Sequence, residues 1–261
     1  MLDHITALIL TFNEAPNIGR SLERLAWTRD VVVVDSFSSD DTLAIVKRYA
    51  NARVLQRRFD DHARQWNFGL KDTGIGTEWV LALDADHIVN EAFLGELRAL
   101  APDADVAGYR VRFNYCIQGR PLRAAVYPPV TVLYHRDSAE YVQDGHTQRV
   151  KLTGRILNLE NPIDHDDRKS LQHWLQSQSR YMELEAGNLS KARFSELAIQ
   201  DRVRKLIVFA PVAIFLYCMF VKGNVLDGRA GLFYALQRSI AEGILSLYLL
   251  RTLLSRDQAV K

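Results

Sequence analysis

Val31-Val-Val-Val-Asp35 and the polar stretch behind it, Ser36-Phe-Ser-Ser-Asp-Asp-Thr42, decide the fold. An unbroken β-branched run suits a strand covered on both faces, since apolar and polar residues alternate only where one face meets water. The following turn is rich in Ser and Asp, the side chains that cap helix N-termini, and residues 43–49 then space their apolar positions as a helix does. The same unit recurs on both sides. Residues 5–10 form an apolar run ended by Thr11-Phe-Asn-Glu14, and Pro16 with Ile18, Leu22 and Leu25 predicts a helix. A strand is predicted at 53–56, a helix at 62–70 and another strand at 79–83. This alternation predicts an α/β fold, a mostly parallel central sheet covered by helices. In such sheets ligands sit beyond the carboxyl ends of the strands. The polar clusters Thr11–Glu14, Asp35–Asp41 and Asp84–His87 all follow strands and are expected to converge on one cleft.

Further along, short strands are expected at 108–115, 131–135, 141–142 and 149–152, with a turn at Gly119-Arg-Pro121 and a helix at 171–189. The preferred division is a catalytic domain over 1–190 and a helical, apolar tail over 191–261. Within that tail, 206–221 is uncharged, preceded by Arg202, Arg204 and Lys205 and closed by Lys222. As a helix it would rise about 24 Å, short of the roughly 30 Å hydrocarbon core. A second apolar stretch, 232–254, is interrupted by Arg238, Glu242 and Arg251.

The chain has 261 residues, 48% hydrophobic and 25% charged, which excludes a disordered chain, a collagen-like fibre and a polytopic membrane protein. A formal charge of +2 gives no support to nucleic-acid binding. Cys116 and Cys218 lie far apart and fit neither a metal nor a disulfide pattern. Met1-Leu-Asp-His4 lacks the basic start of a signal peptide, so the expected location is cytoplasmic.

Two carboxylates, Asp84 and Asp86, follow the apolar run Trp79-Val-Leu-Ala-Leu83. Residues i and i+2 of an extended chain point to one side, so both would face one ligand if the strand geometry persists. Carboxylate oxygens suit Mg²⁺ or Mn²⁺, and an ion there would neutralise a nucleotide diphosphate. The D-x-D pattern alone is common among solvated carboxylates; its position after a strand gives it weight. Asp35 at a strand end suits a base edge or a ribose, although the loop behind it also caps a helix. Arg64 suits phosphate, because guanidinium binds it bidentately.

Three pieces occur in order: Ile9-Leu-Thr-Phe-Asn-Glu14, Val34-Asp-Ser-Phe-Ser-Ser-Asp-Asp-Thr42 and Leu83-Asp-Ala-Asp86. Together they resemble the N-terminal half of a family 2 glycosyltransferase, whose fold is the GT-A nucleotide-diphospho-sugar-binding fold. Ala63-Arg-Gln-Trp-Asn67, the stretch from His165 to Leu171, and Lys222-Gly-Asn-Val-Leu-Asp-Gly-Arg-Ala-Gly231 are similar to the bacterial lipopolysaccharide-core glucosyltransferase subgroup. His87 stands where that subgroup frequently has an acid. The resemblance implies that Thr11, Asn13, Glu14 and Asp35 hold the nucleoside, that Arg64 and Asn67 shape the donor site, and that Asp84 reaches the ribose or a metal-bound water. It implies Asp86 as a ligand of Mn²⁺ or Mg²⁺, with His165 approaching the ion or diphosphate from the C-terminal side. An inverting transfer also needs a general base. The family's position for it falls on Tyr141-Val-Gln-Asp-Gly-His-Thr-Gln148, and Asp144 is chosen; an Asp-Gly pair is also a common hairpin turn. Asp137 and Glu140 read as turn and strand-edge charges, and His146 as a binder of acceptor phosphate.

The expected function is therefore hexose transfer from a UDP-sugar to a lipopolysaccharide-core or other lipid-linked acceptor. The apolar tail is expected on the inner face of the cytoplasmic membrane, or buried against a second copy of the chain. A polyprenyl-phosphate glycosyltransferase and a non-catalytic membrane-surface scaffold are the alternatives. A nucleotidyltransferase is disfavoured by the lack of a Gly-rich N-terminal phosphate loop.

Overall fold

The computed structural model describes residues 1–144 and 147–259. Its strands are β1 (Ile5–Thr11), β2 (Val31–Asp35), β3 (Ala52–Gln56), β4 (Trp79–Asp84), β5 (His87–Ile88), β6 (Val106–Val111), β7 (Phe113–Ile117), β8 (Arg120–Pro121), β9 (Val130–His135), β10 (Ala139–Asp144), β11 (Thr147–Leu152), β12 (Arg155–Asn158) and β13 (Ile163–His165). The helices are α1 (Ile18–Glu23), α2 (Thr42–Val46), α3 (His62–Lys71), α4 (Glu91–Ala99), α5 (Leu171–Lys191), α6 (Ile199–Arg204), α7 (Phe209–Leu216) and α8 (Gly228–Ala259).

A seven-stranded sheet runs in the order β12-β6-β9-β4-β1-β2-β3. Pairs β4–β1, β1–β2, β2–β3 and β12–β6 are parallel, whereas β9 runs antiparallel to both its neighbours. Period-two alternation sorts the apolar side chains onto two faces. Ala7, Ile9, Val31, Val33, Leu81 and Leu83 face the core under α1 and α4. Leu8, Val32, Val34, Val80 and Ala82 face the second core, under Ala63, Trp66 and Leu70 of α3. All of β2 is buried, as its β-branched run predicts. Burying each valine contributes roughly 1.5–3 kcal/mol relative to leaving it exposed.

The strand expected at 108–115 is two strands in two sheets. Arg112 separates β6, in the central sheet, from β7, in the small sheet β5-β13-β7-β8. A turn through Gln118 and Gly119, both at positive φ, joins β7 to β8. Strands β5 and β13 are too short to carry periodicity and exist through tertiary pairing. The pair β10–β11 forms a separate antiparallel hairpin.

The chain forms two compact units, Met1–Pro121 with Tyr127–Arg168, and Leu122–Val126 with Lys169–Lys261. The second is helical. Met182, Ala186 and Leu189 of α5 pack with Leu245 and Leu249 of α8. Arg204 lies between the two helices' carboxylates, 2.6 Å from Glu185 and 3.1 Å from Glu242. Burial opposes its charge, but those carboxylates outweigh the penalty and hold the guanidinium above its usual range. Helix α7 continues as a π-helical turn over Tyr217–Val221 and stops before Gly223, at φ 73°. Among the described residues no single helix is long and apolar enough to cross a membrane; Phe209–Val221 and Asn224–Ser255 together are, but they are bent by 75°.

Candidate active site

The parallel register aligns the ends of three neighbouring strands: Thr11 lies opposite Asp35, and Leu10 opposite Asp84. The loops that leave β1, β2 and β4 therefore start from one edge, where ligands of open α/β sheets bind.

Asp35 is fully buried. Its Oδ1 accepts hydrogen bonds from the Thr11 hydroxyl at 3.1 Å and the Ser38 hydroxyl at 2.5 Å. Its Oδ2 accepts from the Ser38 N–H at 2.9 Å and the Gln56 amide at 3.1 Å. A buried carboxylate persists only when its lone pairs are met, and here the chain itself meets them. The geometry shows Asp35 ordering the turn after β2. Asn13, at φ 55°, ties the loop after β1 to that turn, its N–H donating to Ser38 at 2.8 Å and its side-chain oxygen accepting from the Ser39 N–H at 2.8 Å. Glu14 follows, its N–H on the Thr42 hydroxyl at 2.8 Å and its carboxylate accepting from Asn17 at 2.9 Å. Phe37 holds φ 62° with half its surface exposed, an unusual conformation for a bulky residue and one kept by this network.

Helix α3 places Arg64 and Asn67 apart. Arg64 is on the exposed first turn, beside Asp61 at 3.2 Å and Asp60 at 3.5 Å. Asn67 instead pairs with the backbone of Tyr141, donating to its carbonyl at 2.8 Å and accepting from its N–H at 2.9 Å. Its amide thus extends the hydrogen-bonding edge of β10 as another strand would. Trp66 stacks on the Tyr141 ring at 5.2 Å. Asp144 closes β10, but its side chain and the whole of His146 lie outside the described residues. Asp137 sits in an exposed turn, 3.1 Å from Arg136.

Strand geometry does not persist through the D-x-D. Extended structure ends at Asp84, whose side chain is 61% exposed, and a turn carries Asp86 inward, its side chain only 12% exposed. Antiparallel pairing of β13 with β5 then sets His165 opposite His87. His165 Nε2 lies 3.5 Å from Asp86. One ligand atom each from Asp86, His87 and His165 fall within 4.8 Å of one another. The two histidines are not equivalent. The Asp84 N–H donates to His87 Nδ1 at 3.0 Å, so a neutral His87 carries its proton on Nε2 and has no lone pair there for a metal. Burial keeps it neutral, pushing its pKa below the usual value against the pull of Asp84 and Asp86. Asp86 and His165 remain, a carboxylate oxygen and an imidazole nitrogen that fit a divalent ion, with other positions left for substrate phosphates.

The stretch after His165 is latched by residues the sequence reading passed over. The Asp166 N–H donates to the Asp86 carbonyl at 3.0 Å. Its buried carboxylate accepts from Arg20 at 2.8 Å, Arg168 at 2.7 Å and the Gly119 N–H at 3.0 Å. Burial raises the Asp166 pKa, but these donors outweigh it and the net shift is downward. Asn17, wholly buried, bridges Glu14 and Asp167 through its amide N–H groups and accepts from Arg20 and the Arg168 N–H. The acid-rich Asp164-His-Asp-Asp167 was a visible signal for this latch; Asn17 left none.

The chain matches the model of glycosyl transferase family 2 over residues 6–153. It is 32% identical over 113 residues to the lipopolysaccharide core biosynthesis glycosyltransferase LpsC of Rhizobium meliloti, covering 41% of each chain. It is 23% identical over 205 residues to an uncharacterized glycosyltransferase of Rickettsia felis, covering 73% of this chain and 71% of that one. The chain therefore spans well under half of LpsC but most of the rickettsial relative. Among solved structures, S. aureus TarS 1-349 in complex with UDP-GlcNAc is similar at a TM-score of 0.50 and 16% identity, over 94% of this chain and 89% of that chain.

Proposed function

The chain belongs to glycosyl transferase family 2, and on that premise we propose that it transfers a hexose from a UDP-sugar to a lipopolysaccharide-core or other lipid-linked acceptor, with inversion at the anomeric carbon and with Mn²⁺ or Mg²⁺. Its fold is the GT-A fold and it is a glycosyltransferase. The observation that carries the finer reading is the single edge shared by Thr11, Asp35 and Asp84, with Asp86 and His165 brought together beside it. The TarS structure holds a UDP-sugar, and LpsC is named for lipopolysaccharide core synthesis; both support the donor and acceptor classes proposed here.

In this reading the loops after β1 and β2, cross-tied through Asp35, Ser38 and Asn13, form the nucleoside end of the cleft. Asp84, exposed at the strand end, meets the ribose. Asp86 and His165 would hold the divalent ion, which when bound would supply positive charge at the diphosphate. Asp144, at the end of the hairpin strand that Asn67 clamps, takes the proton of the acceptor hydroxyl. No covalent enzyme intermediate is needed.

The helical unit carries the proposed location, peripheral on the inner face of the cytoplasmic membrane. Val208, Phe209, Phe220, Val221 and Leu226 are each at least 66% exposed, with Lys222 among them and Arg229 just beyond. Such a surface suits an interfacial helix that buries apolar area while basic side chains meet anionic headgroups.

Thermal-shift measurements against a panel of nucleotide sugars, with and without Mn²⁺, test the donor, since a ligand that binds the folded state raises its melting temperature. UDP release in the presence of Mn²⁺ and an acceptor extract tests transfer. A chain stabilised by no uridine nucleotide, and releasing no UDP, would rule the proposal out.

A further inference from the structure

Strand pairing that sets His165 opposite His87 also sets it opposite Tyr115, because β13 lies between β5 and β7. A ladder of rings results. The His165 and Tyr115 centroids are 4.4 Å apart, and Tyr127 stacks on Tyr115 at 4.6 Å with the planes 19° apart. The ladder starts 3.5 Å from the Asp86 carboxylate and ends at Tyr127, which keeps 46% of its surface exposed. Tyr127 is thus an exposed ring braced by a second ring, at the far end of a ladder that begins at the candidate metal group.

We propose that Tyr127, backed by Tyr115, is a stacking platform for a sugar ring of the acceptor glycan; this rests on the glycosyl-transfer reading above. The C–H face of a pyranose carries slight positive charge and the tyrosine face slight negative charge, so the two attract while both shed water. Stacked rings lose little conformational entropy on binding. A uracil base would stack as well, but the topology argues against it. Thr11 and Asp35, at the proposed nucleoside end, lie on β1 and β2 of the central sheet, whereas His165 and Tyr115 belong to the small sheet that follows the D-x-D, and Tyr127 to the loop between β8 and β9. The ladder therefore begins at the metal group and not at the proposed nucleoside end, which favours the acceptor over the base as its ligand.

The probe is deacylated lipopolysaccharide-core oligosaccharide, observed by saturation-transfer difference NMR on the full chain, with UDP binding measured on the same preparations. Tyr127→Ala should weaken oligosaccharide binding at least fivefold, and Tyr127→Phe, which keeps the ring, should hold it within twofold of the parent. Oligosaccharide affinity unchanged in Tyr127→Ala overturns the platform, even if the parent turns over a nucleotide sugar. A fivefold loss of UDP affinity with oligosaccharide binding kept also overturns it, because the ladder would then serve the base. Oligosaccharide binding that depends on Tyr127, in a chain that releases UDP from no nucleotide sugar, upholds the platform and removes the transfer reading instead.

Discussion

Asp86 and His87 are adjacent in sequence and opposite in chemistry. The Asp84 N–H fixes the His87 proton on Nε2, while Asp86 points its carboxylate toward His165. Asp86→Ala and His165→Ala should each weaken Mn²⁺ binding by about tenfold or more, a loss typical of removing a ligand or its orienting partner, with the circular dichroism spectrum unchanged. Calorimetric Mn²⁺ titration measures this; parent-like affinity in both variants would move the ion elsewhere. For His87, ¹⁵N spectra should show the neutral Nε2–H form before and after Mg²⁺ is added. Cys116 gives a second test at this scale. Burial, and then the nearby Asp164 and Asp166, push its thiol up to about 12, so little thiolate is present near neutrality. Alkylation of Cys116 by iodoacetamide at pH 8 should run about 10²-fold or more slower than that of a peptide thiol, and reach the peptide rate in denaturant. Mass spectrometry of the labelled peptide reads it.

Helix α3 does two jobs, one on each side. Toward the sheet, Gly69 permits close approach to β1: a Cβ there would stand 2.8 Å from one δ-methyl of Leu8 and 2.9 Å from the other. Gly69→Ala should therefore destabilise the protein by about 1–3 kcal/mol through overpacking, read from urea unfolding. Toward the hairpin, Asn67 holds Tyr141 by a donor and an acceptor together. Removing it leaves a backbone N–H and a carbonyl of a buried residue unmet, each costing about 1–3 kcal/mol. Since β10 ends at Asp144, Asn67→Ala should lower kcat more than it raises KM for the nucleotide sugar. A rise in donor KM with kcat kept would return Asn67 to the donor site that the family resemblance implies for it.

At the scale of the whole chain, exposed apolar surface concentrates in the helical unit. Phe209 and Phe220 are 68% and 66% exposed, and both lie in the uncharged stretch that Lys222 closes. Replacing both with Asp should leave helix content intact and reduce co-sedimentation with anionic vesicles by about tenfold, since interfacial binding scales with buried apolar area. Full-length parent protein that ignores such vesicles at low salt, yet still glycosylates its acceptor, would defeat the membrane reading. A dimer whose dissociation requires those substitutions would assign the same surface to a second copy of the chain.

Local pattern was enough for the parts of this chain whose information is local. The β-branched run of β2, the apolar runs of β1 and β4, and the polar clusters at their ends announced a parallel sheet and the shared edge from which those clusters leave, because a strand buried on both faces permits few other residues. Local pattern could not show that residues 108–115 divide between two sheets, that β9 enters antiparallel, or that β13 returns beside β5, since each depends on pairing partners distant in sequence. The same holds for the side chains. Sequence marked Asp35, Asn67 and Asp86 as polar groups worth noticing. Only the folded chain decided that Asp35 meets four donors, that Asn67 clamps a strand, and that a turn carries Asp86 in beside His165, because a hydrogen bond is settled by what lies three ångströms away and not by what lies three residues away.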